Sequence, residues 1–332
     1  MTRKKSLTGI KPTGTPHLGN IIGAIQPALE LAKTYDTNYF IADAHALTSV
    51  TDPNELRQHT FEVAATWLAL GLDPTQSTFY RQSDIAEDFE LAWIFSCLTP
   101  KGLMNRAHAY KGFVDTATEA GSKDPDSQVN MGLFSYPVLM AADIILYSAD
   151  VVPVGQDQKQ HVEIARDIAT KFNNLYGEIL TVPEPLIEKE VATLPGLDHR
   201  KMSKSYNNTI SLFVSDDELL KQIKKFTTDS VEPGETRDPK DVPIYTLIEA
   251  IASKEVSEHV ANNLLEGKIR WGDIKELLFE QIKEQFGPAR EKYSELQSNR
   301  GYVDEVLAQG AVKAQSQAVL LMDQVRKAVG LR

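Results

Sequence analysis

A single cysteine, Cys97, stands in a chain of 332 residues. One thiol excludes an internal disulfide and fits a reducing compartment. The expectation for such a residue is a buried small hydrophobe. Long apolar runs are also lacking. None reaches the roughly 20 residues needed to span a bilayer, so no membrane association is expected. The opening residues Met1 to Lys5 are basic, but no signal-peptide-like apolar stretch follows them, and a cytoplasmic location is expected. An excess of positive charge is absent, since the net charge is −11. That argues against a surface coated in Lys and Arg for nonspecific nucleic-acid binding, and no DNA partner is expected; a local basic track can still hold RNA. Internal repeats and low-complexity segments are missing too. What remains is ordinary globular material, 42% hydrophobic and 24% charged, long enough for a large core and two domains.

Strand and helix patterns alternate through the first 190 residues or so. Short apolar β-type runs fall at 7–10, 38–42, 77–81 and 150–154. Helical periods fall between them, with a kink or helix start expected at Pro27. Asp52-Pro53-Asn54-Glu55 has the form of a capping box opening a helix that stops at Gly71. Residues 116–128 are small, polar and acidic and are expected to form an exposed loop. Alternation of this kind predicts an α/β fold, a doubly wound parallel sheet with helices on both faces. After Ser205 only helical periods appear, the first capped by Ser215, and Gly287-Pro288 is expected to bend or break a later one. Trp67 and Trp93 are expected in the core.

Two short stretches carry chemistry. Pro12-Thr13-Gly14-Thr15-Pro16-His17-Leu18-Gly19-Asn20 is a glycine turn after a strand that opens a helix. Such a turn presents backbone N–H groups to an anion, and Gly14 and Gly19 permit close approach. His17 and Asn20 add side-chain donors. Lys201-Met202-Ser203-Lys204-Ser205 is a polar loop with two ammonium groups. Together they suit a phosphorus centre crowded with negative charge. A third feature is Asp143 inside the apolar run 138–146, costly to bury without a partner. A buried acceptor-only carboxylate suits a ligand donor such as an indole N–H, although structural donors would serve as well.

In this order the two signatures resemble those of the class I aminoacyl-tRNA synthetases, the first of HIGH type and the second a KMSKS sequence without substitution. Further blocks resemble the tryptophanyl branch: Gly9 to Gly14, Asp43-Ala44-His45-Ala46, Tyr136 to Asp143, and Val152 to His161. The resemblance implies a Rossmann-like, HUP-type catalytic domain over 1–205 with an insertion near 84–150. It implies an all-helical anticodon-binding domain over 206–311 and a last helix, 312–332, packing back on the catalytic half. The implied reaction is activation of L-tryptophan by ATP, with Mg2+ accompanying the nucleotide, followed by transfer to tRNA(Trp). A homodimer is implied, and no protein-only metal site. His17, Lys201, Ser203 and Lys204 take the catalytic roles. Lys11, Pro12, Thr13, Gly19, Asn20, Gly155, Gln156, Asp157, Val191, Met202 and Ser205 join Lys201, Ser203 and Lys204 around ATP. Asp143, Met140, Tyr136, Gln158 and His45 take the amino acid. Lys11 stands where many relatives have glutamine, and Tyr110-Lys111-Gly112-Phe113 lacks the second lysine of a phosphate-binding run. Tyrosine activation, a non-catalytic tRNA or tryptophan sensor, and a small nucleotidyltransferase are the rival readings.

Overall fold

The computed structural model describes residues 3–127, 129–187, 194–228 and 234–331, with the Asp157 side chain outside that set. The chain opens with β1 (Lys5–Ile10), α1 (Leu18–Asn20), a π-helical turn over Ile21–Ile25, α2 (Gln26–Leu31) and β2 (Asp36–Ile41). The wide turn sits immediately before Pro27, which has no N–H to give and whose ring would crowd the carbonyl four residues back. There follow α3 (Asp43–Ala46), α4 (Pro53–Ala69), β3 (Thr78–Arg81) and α5 (Ala86–Leu98). Asp52 caps α4, its side chain accepting from the N–H groups of Asn54 and Glu55. Next come α6 (Lys101–Met104), α7 (His108–Glu119), α8 (Met131–Leu146), β4 (Val151–Pro153), α9 (Lys159–Tyr176) and β5 (Glu184–Leu186). Part of the segment expected as a loop, Thr116 to Glu119, belongs instead to α7; that helix buries none of its residues, so composition alone hid it. Gln128 lies outside the described residues.

All strand pairs are parallel, in the order β3-β2-β1-β4-β5. Along β2, Tyr39 and Ile41 enter one core and Phe40 the other; on β3, Phe79 and Tyr80 divide the same way. A sheet buried on both faces therefore reads as continuous apolar runs. The order reverses between β1 and β4, and the crevice at their carboxyl ends is where an open α/β sheet binds ligands.

The remaining elements are α10 (Asp216–Lys224), α11 (Pro243–Ile251), α12 (Lys254–Leu265), α13 (Trp271–Ser298) and α14 (Arg300–Val329). Ser215 caps α10 by accepting the Glu218 N–H. Helix α13 runs unbroken through Pro288, because Ile282, Phe286 and Tyr293 on either side are buried against the rest of the core. Helix α14 lies along β3, the outer strand. A Cβ at Gly310 would come within 1.7 Å of the Phe79 carbonyl oxygen, so only glycine lets the helix sit there. Covering an edge strand this way removes a template for unwanted pairing. Arg326 of α14 pairs with Glu90 of α5 through two nitrogens.

Two further expectations fail. Trp93 is 72% exposed rather than core, and Cys97, one turn further along α5, is exposed as well. The helix buries Leu91, Ile94 and Phe95 on its other side, so its apolar composition conceals an outward face. Among the described residues no helix is long and apolar enough to cross a membrane.

Candidate active site

Strand β1 delivers the first signature to the crevice. Thr13 N–H closes a tight turn on the Lys11 carbonyl at 3.0 Å, and Gly14 follows at φ 120°, a conformation that side chains other than glycine rarely adopt. Pro12 is buried beneath the turn and Thr13 faces solvent. His17 is the cap of α1. Its Nδ1 accepts the Asn20 N–H at 3.3 Å, and the Asn20 side-chain oxygen accepts the His17 N–H at 3.2 Å. His17 is only 7% exposed. Burial, and then the nearby Lys204 ammonium, pull its pKa down to about 4. The ring is neutral at pH 7, and with Nδ1 accepting, its proton resides on Nε2.

The second signature closes over this turn. Gly19 N–H points at the Met202 sulfur at 3.3 Å, and Met202 is buried. Leu18 N–H donates to the Ile210 carbonyl at 2.9 Å, and His17 bridges Ser211 backbone to backbone. Lys204 Nζ reaches the Thr13 carbonyl at 3.4 Å and occupies space that a Gly14 Cβ would approach to 2.7 Å. Burial lowers the Lys204 pKa, opposed by the Glu62 carboxylate. Lys201 and Ser205 stand exposed at the loop surface, while Ser203 is half-buried.

Asn208 organises the loop from inside. Its side-chain oxygen accepts the Ser203 N–H at 2.8 Å, and its amide nitrogen donates to Asp198 at 2.6 Å and to the Lys201 carbonyl at 3.1 Å. Sequence reasoning passed over Asn208; the run of Asn207 and Asn208 directly after the signature was the available signal. Lys11 extends its ammonium to Thr48 Oγ1 at 2.8 Å, and burial lowers its pKa. Gly155 and Gln156 lie exposed just past the end of β4, Gly155 capping the single turn Gln156–Gln158 that carries Asp157. Val191 lies outside the described residues.

A second group gathers beside the first. Asp143, 1% exposed, accepts from Gln82 Nε2 at 2.7 Å through one oxygen and meets His45 Nε2 at 2.8 Å through the other. Gln82 also accepts the His45 N–H at 3.3 Å. Tyr136 lies edge-on to His45, with ring centroids 6.1 Å apart, and bonds His161 Nε2 through its hydroxyl at 2.5 Å. Burial pushes the Tyr136 phenol up to about 12, so it stays protonated. A cavity of about 370 Å³ opens here, walled by His45, Thr48, Asn130, Tyr136 and Leu139. Asp143 stands behind His45, Met140 is half-buried against the core shared by α8 and α9, and Gln158 is half-buried at the end of its turn.

Gln82 was also missed. It follows directly on β3, and nothing in its neighbourhood in sequence announces a buried amide. Asp88 is a further buried acid. Burial, then the Asp143 and Glu87 carboxylates, push it well above the usual carboxylate range.

A family model of tRNA synthetases class I (W and Y) matches residues 2–287. The chain belongs to that family. It is 51% identical over 331 residues to the tryptophan–tRNA ligase of Pseudomonas aeruginosa, covering 98% of this chain and 73% of that one. It is 48% identical to the tryptophan–tRNA ligase of Neisseria meningitidis, covering 100% and 99%. Among solved structures, the tryptophanyl-tRNA synthetase of Campylobacter jejuni complexed with ADP and tryptophane superposes with a TM-score of 0.89 at 41% identity, covering 98% and 99%. The family membership accounts for both signatures and for the order of the five parallel strands.

Proposed function

We propose that this chain is a tryptophan–tRNA ligase: it activates L-tryptophan with ATP to tryptophanyl-adenylate and pyrophosphate, then esterifies the 3′ end of tRNA(Trp). One observation carries the reading. The Lys204 ammonium, from a loop 191 residues away, lies against the glycine turn at Thr13 and Gly14. Cationic and N–H donors thus converge on the crevice where a triphosphate would lie.

In this reading the tryptophan carboxylate attacks the α-phosphorus in line, and pyrophosphate leaves. Lys201 and Lys204 take the growing charge on the leaving oxygens, with Ser203 and Ser205 as donors. His17, neutral, donates from Nε2, and Asn20 adds its amide. Pro12, Thr13, Gly19 and Met202 shape the turn, and Lys11 adds charge at its edge. Gly155, Gln156 and Asp157 receive the ribose. Asp143 accepts the indole N–H, His45 and Met140 wall the ring, and Tyr136 and Gln158 hold the ammonium. No protein nucleophile is needed, because positioning and charge stabilisation suffice. Among the described residues no group of three or more His, Cys, Asp or Glu is placed to hold a metal ion. In this reading Mg2+ accompanies the nucleotide on its triphosphate oxygens.

The helices after residue 205 suit tRNA. Lys275 Nζ bonds the Lys224 carbonyl at 3.2 Å, which brings the basic cluster of Lys221, Lys224 and Lys225 beside that of Lys268, Arg270 and Lys275. We divide the chain as 1–205 for catalysis, 206–311 for the anticodon arm and 312–332 as a returning helical segment, acting in the cytoplasm. The exposed face of α5, with Trp93 and Phe89, supports a homodimer; sedimentation showing a monomer at micromolar concentration would remove that part.

Amino-acid-dependent ATP–pyrophosphate exchange tests the whole. Tryptophan alone should drive exchange, and tRNA(Trp) should then be charged. Exchange with tyrosine instead would favour the tyrosyl reading. Binding of tryptophan without exchange would favour a sensor.

A further inference from the structure

The two signatures meet above helix α4, and one side chain of that helix touches the seam. Glu62 Oε2 accepts the Thr15 hydroxyl at 2.6 Å, between Gly14 and His17. Its other oxygen accepts from Gln58 Nε2 at 2.7 Å, and Gln58 in turn accepts from Arg300, at the start of α14, at 2.8 Å. The Arg300 guanidinium is held 4.1 Å over the Phe61 ring. Glu62 is thus braced from the rear and bonded to the first signature in front, within electrostatic reach of Lys204 in the second.

We propose that Glu62 is a positioning residue for the activation step: it anchors the nucleotide turn through Thr15 and, as the negative group behind that turn, holds the Lys204 ammonium beside Gly14 until a triphosphate takes it. This rests on the reading of the crevice as the triphosphate site. A carboxylate so near would by itself repel a polyphosphate. Here it can stay, because two neutral donors, Thr15 and Gln58, still satisfy it once Lys204 turns to the ligand, so no bare buried charge is left. A glutamine with its oxygen toward Gln58 would still hold Thr15, now by donating its NH2 to the Thr15 oxygen, a neutral bond without the carboxylate charge. The two duties are therefore separable.

The ionisable groups acting on the Lys204 ammonium are Glu62 from α4 and the His17 ring from the turn. Those acting on Glu62 in addition are Tyr293 and, beyond it, Arg300. Lys11, on the same turn, is engaged with Thr48. His17 is held near 4, and burial with Glu62 holds the Tyr293 phenol up at about 12, while the Lys204 ammonium is lowered by burial and raised by Glu62.

The test is tryptophan-dependent exchange by the full chain across neutral and alkaline pH, with Glu62→Gln and Thr15→Val. Glu62→Gln should leave KM for ATP near its original value and move the alkaline limb of kcat down by roughly one pH unit. Thr15→Val should raise KM for ATP several-fold and leave that limb in place. KM for tryptophan should be unchanged in both. An unmoved limb in Glu62→Gln, or a tryptophan KM that rises in step with that for ATP, would overturn the inference while leaving the function standing. Absence of exchange in the unaltered chain would instead refute the proposed function itself.

Discussion

Replacing Asp143 by asparagine probes the proposed amino-acid pocket at a fully engaged carboxylate. The carboxylate is 1% exposed and both oxygens are engaged, by Gln82 Nε2 at 2.7 Å and His45 Nε2 at 2.8 Å. Asparagine has the same shape but offers one acceptor and one NH2. With its oxygen toward Gln82, its NH2 meets the His45 ring, which must then present a bare Nε2 and move its proton to Nδ1. Turned the other way, its NH2 faces the NH2 of Gln82. Gln82 cannot flip in response, since its oxygen already accepts the His45 backbone N–H. The first orientation therefore wins, the fold survives, and what disappears is the negative charge behind His45. A hydrogen bond from the indole N–H to an ionised acceptor contributes about 1.5–3 kcal/mol. Loss of that bond weakens tryptophan binding by roughly ten- to 150-fold. In the proposed reading ATP lies at the other end of the crevice, so its affinity should be kept. Calorimetric titration with each substrate measures both numbers on one preparation, with thermal melting as the check on folding. A folded Asp143→Asn protein that binds tryptophan as tightly as the original would remove Asp143 from the pocket, and with it the role given to the polar group behind His45.

Three other outcomes are expected. Lys204→Ala should slow adenylate formation by roughly 150-fold, as expected for about 3 kcal/mol of lost transition-state stabilisation, with little change in substrate affinity; a wild-type single-turnover rate would contradict this. Gly310→Ala must push α14 off the Phe79 carbonyl, and overpacking of this kind costs about 1–3 kcal/mol. The urea midpoint should fall with an unchanged slope; an unshifted midpoint would show that α14 is not seated on β3. His17 gives a pH signature. Its pKa is about 4 in the fold against 6.5 ordinarily, so on acidification the unfolded chain takes up the proton first. This contribution to stability is intact above pH 6.5 and is lost as pH falls toward 4, by about 3 kcal/mol in all. His17→Gln should lack that part of the acid limb; identical unfolding free energies across this range for both proteins would refute a buried neutral ring.

What sequence could reveal follows the range of the interactions. The Asp52 and Ser215 caps, the stop at Gly71 and the glycine turn at Gly14 are set by neighbours within a few residues, and each was readable. The alternation of strands and helices was readable because a parallel sheet buried on both faces writes itself as apolar runs between helical periods. Trp93 was misjudged because α5 is apolar nearly all round, and only packing decides which side of such a helix is covered. The α14 contact with β3 joins residues more than 200 positions apart, and Gly310 looks like any helical glycine until the Phe79 carbonyl stands beside it. The site divides along the same line. Its two signatures were legible as halves, each a local pattern with its own donors. Two residues that hold the site in place, Glu62 and Gln82, are common polar residues on ordinary elements. Their chemistry arises from what the fold places opposite them: Thr15 at 47 positions' remove, Asp143 at 61. A catalytic group must suit its substrate wherever it stands, so its residue type carries information. A positioning group need only suit its neighbour, and the neighbour is known once the chain has folded.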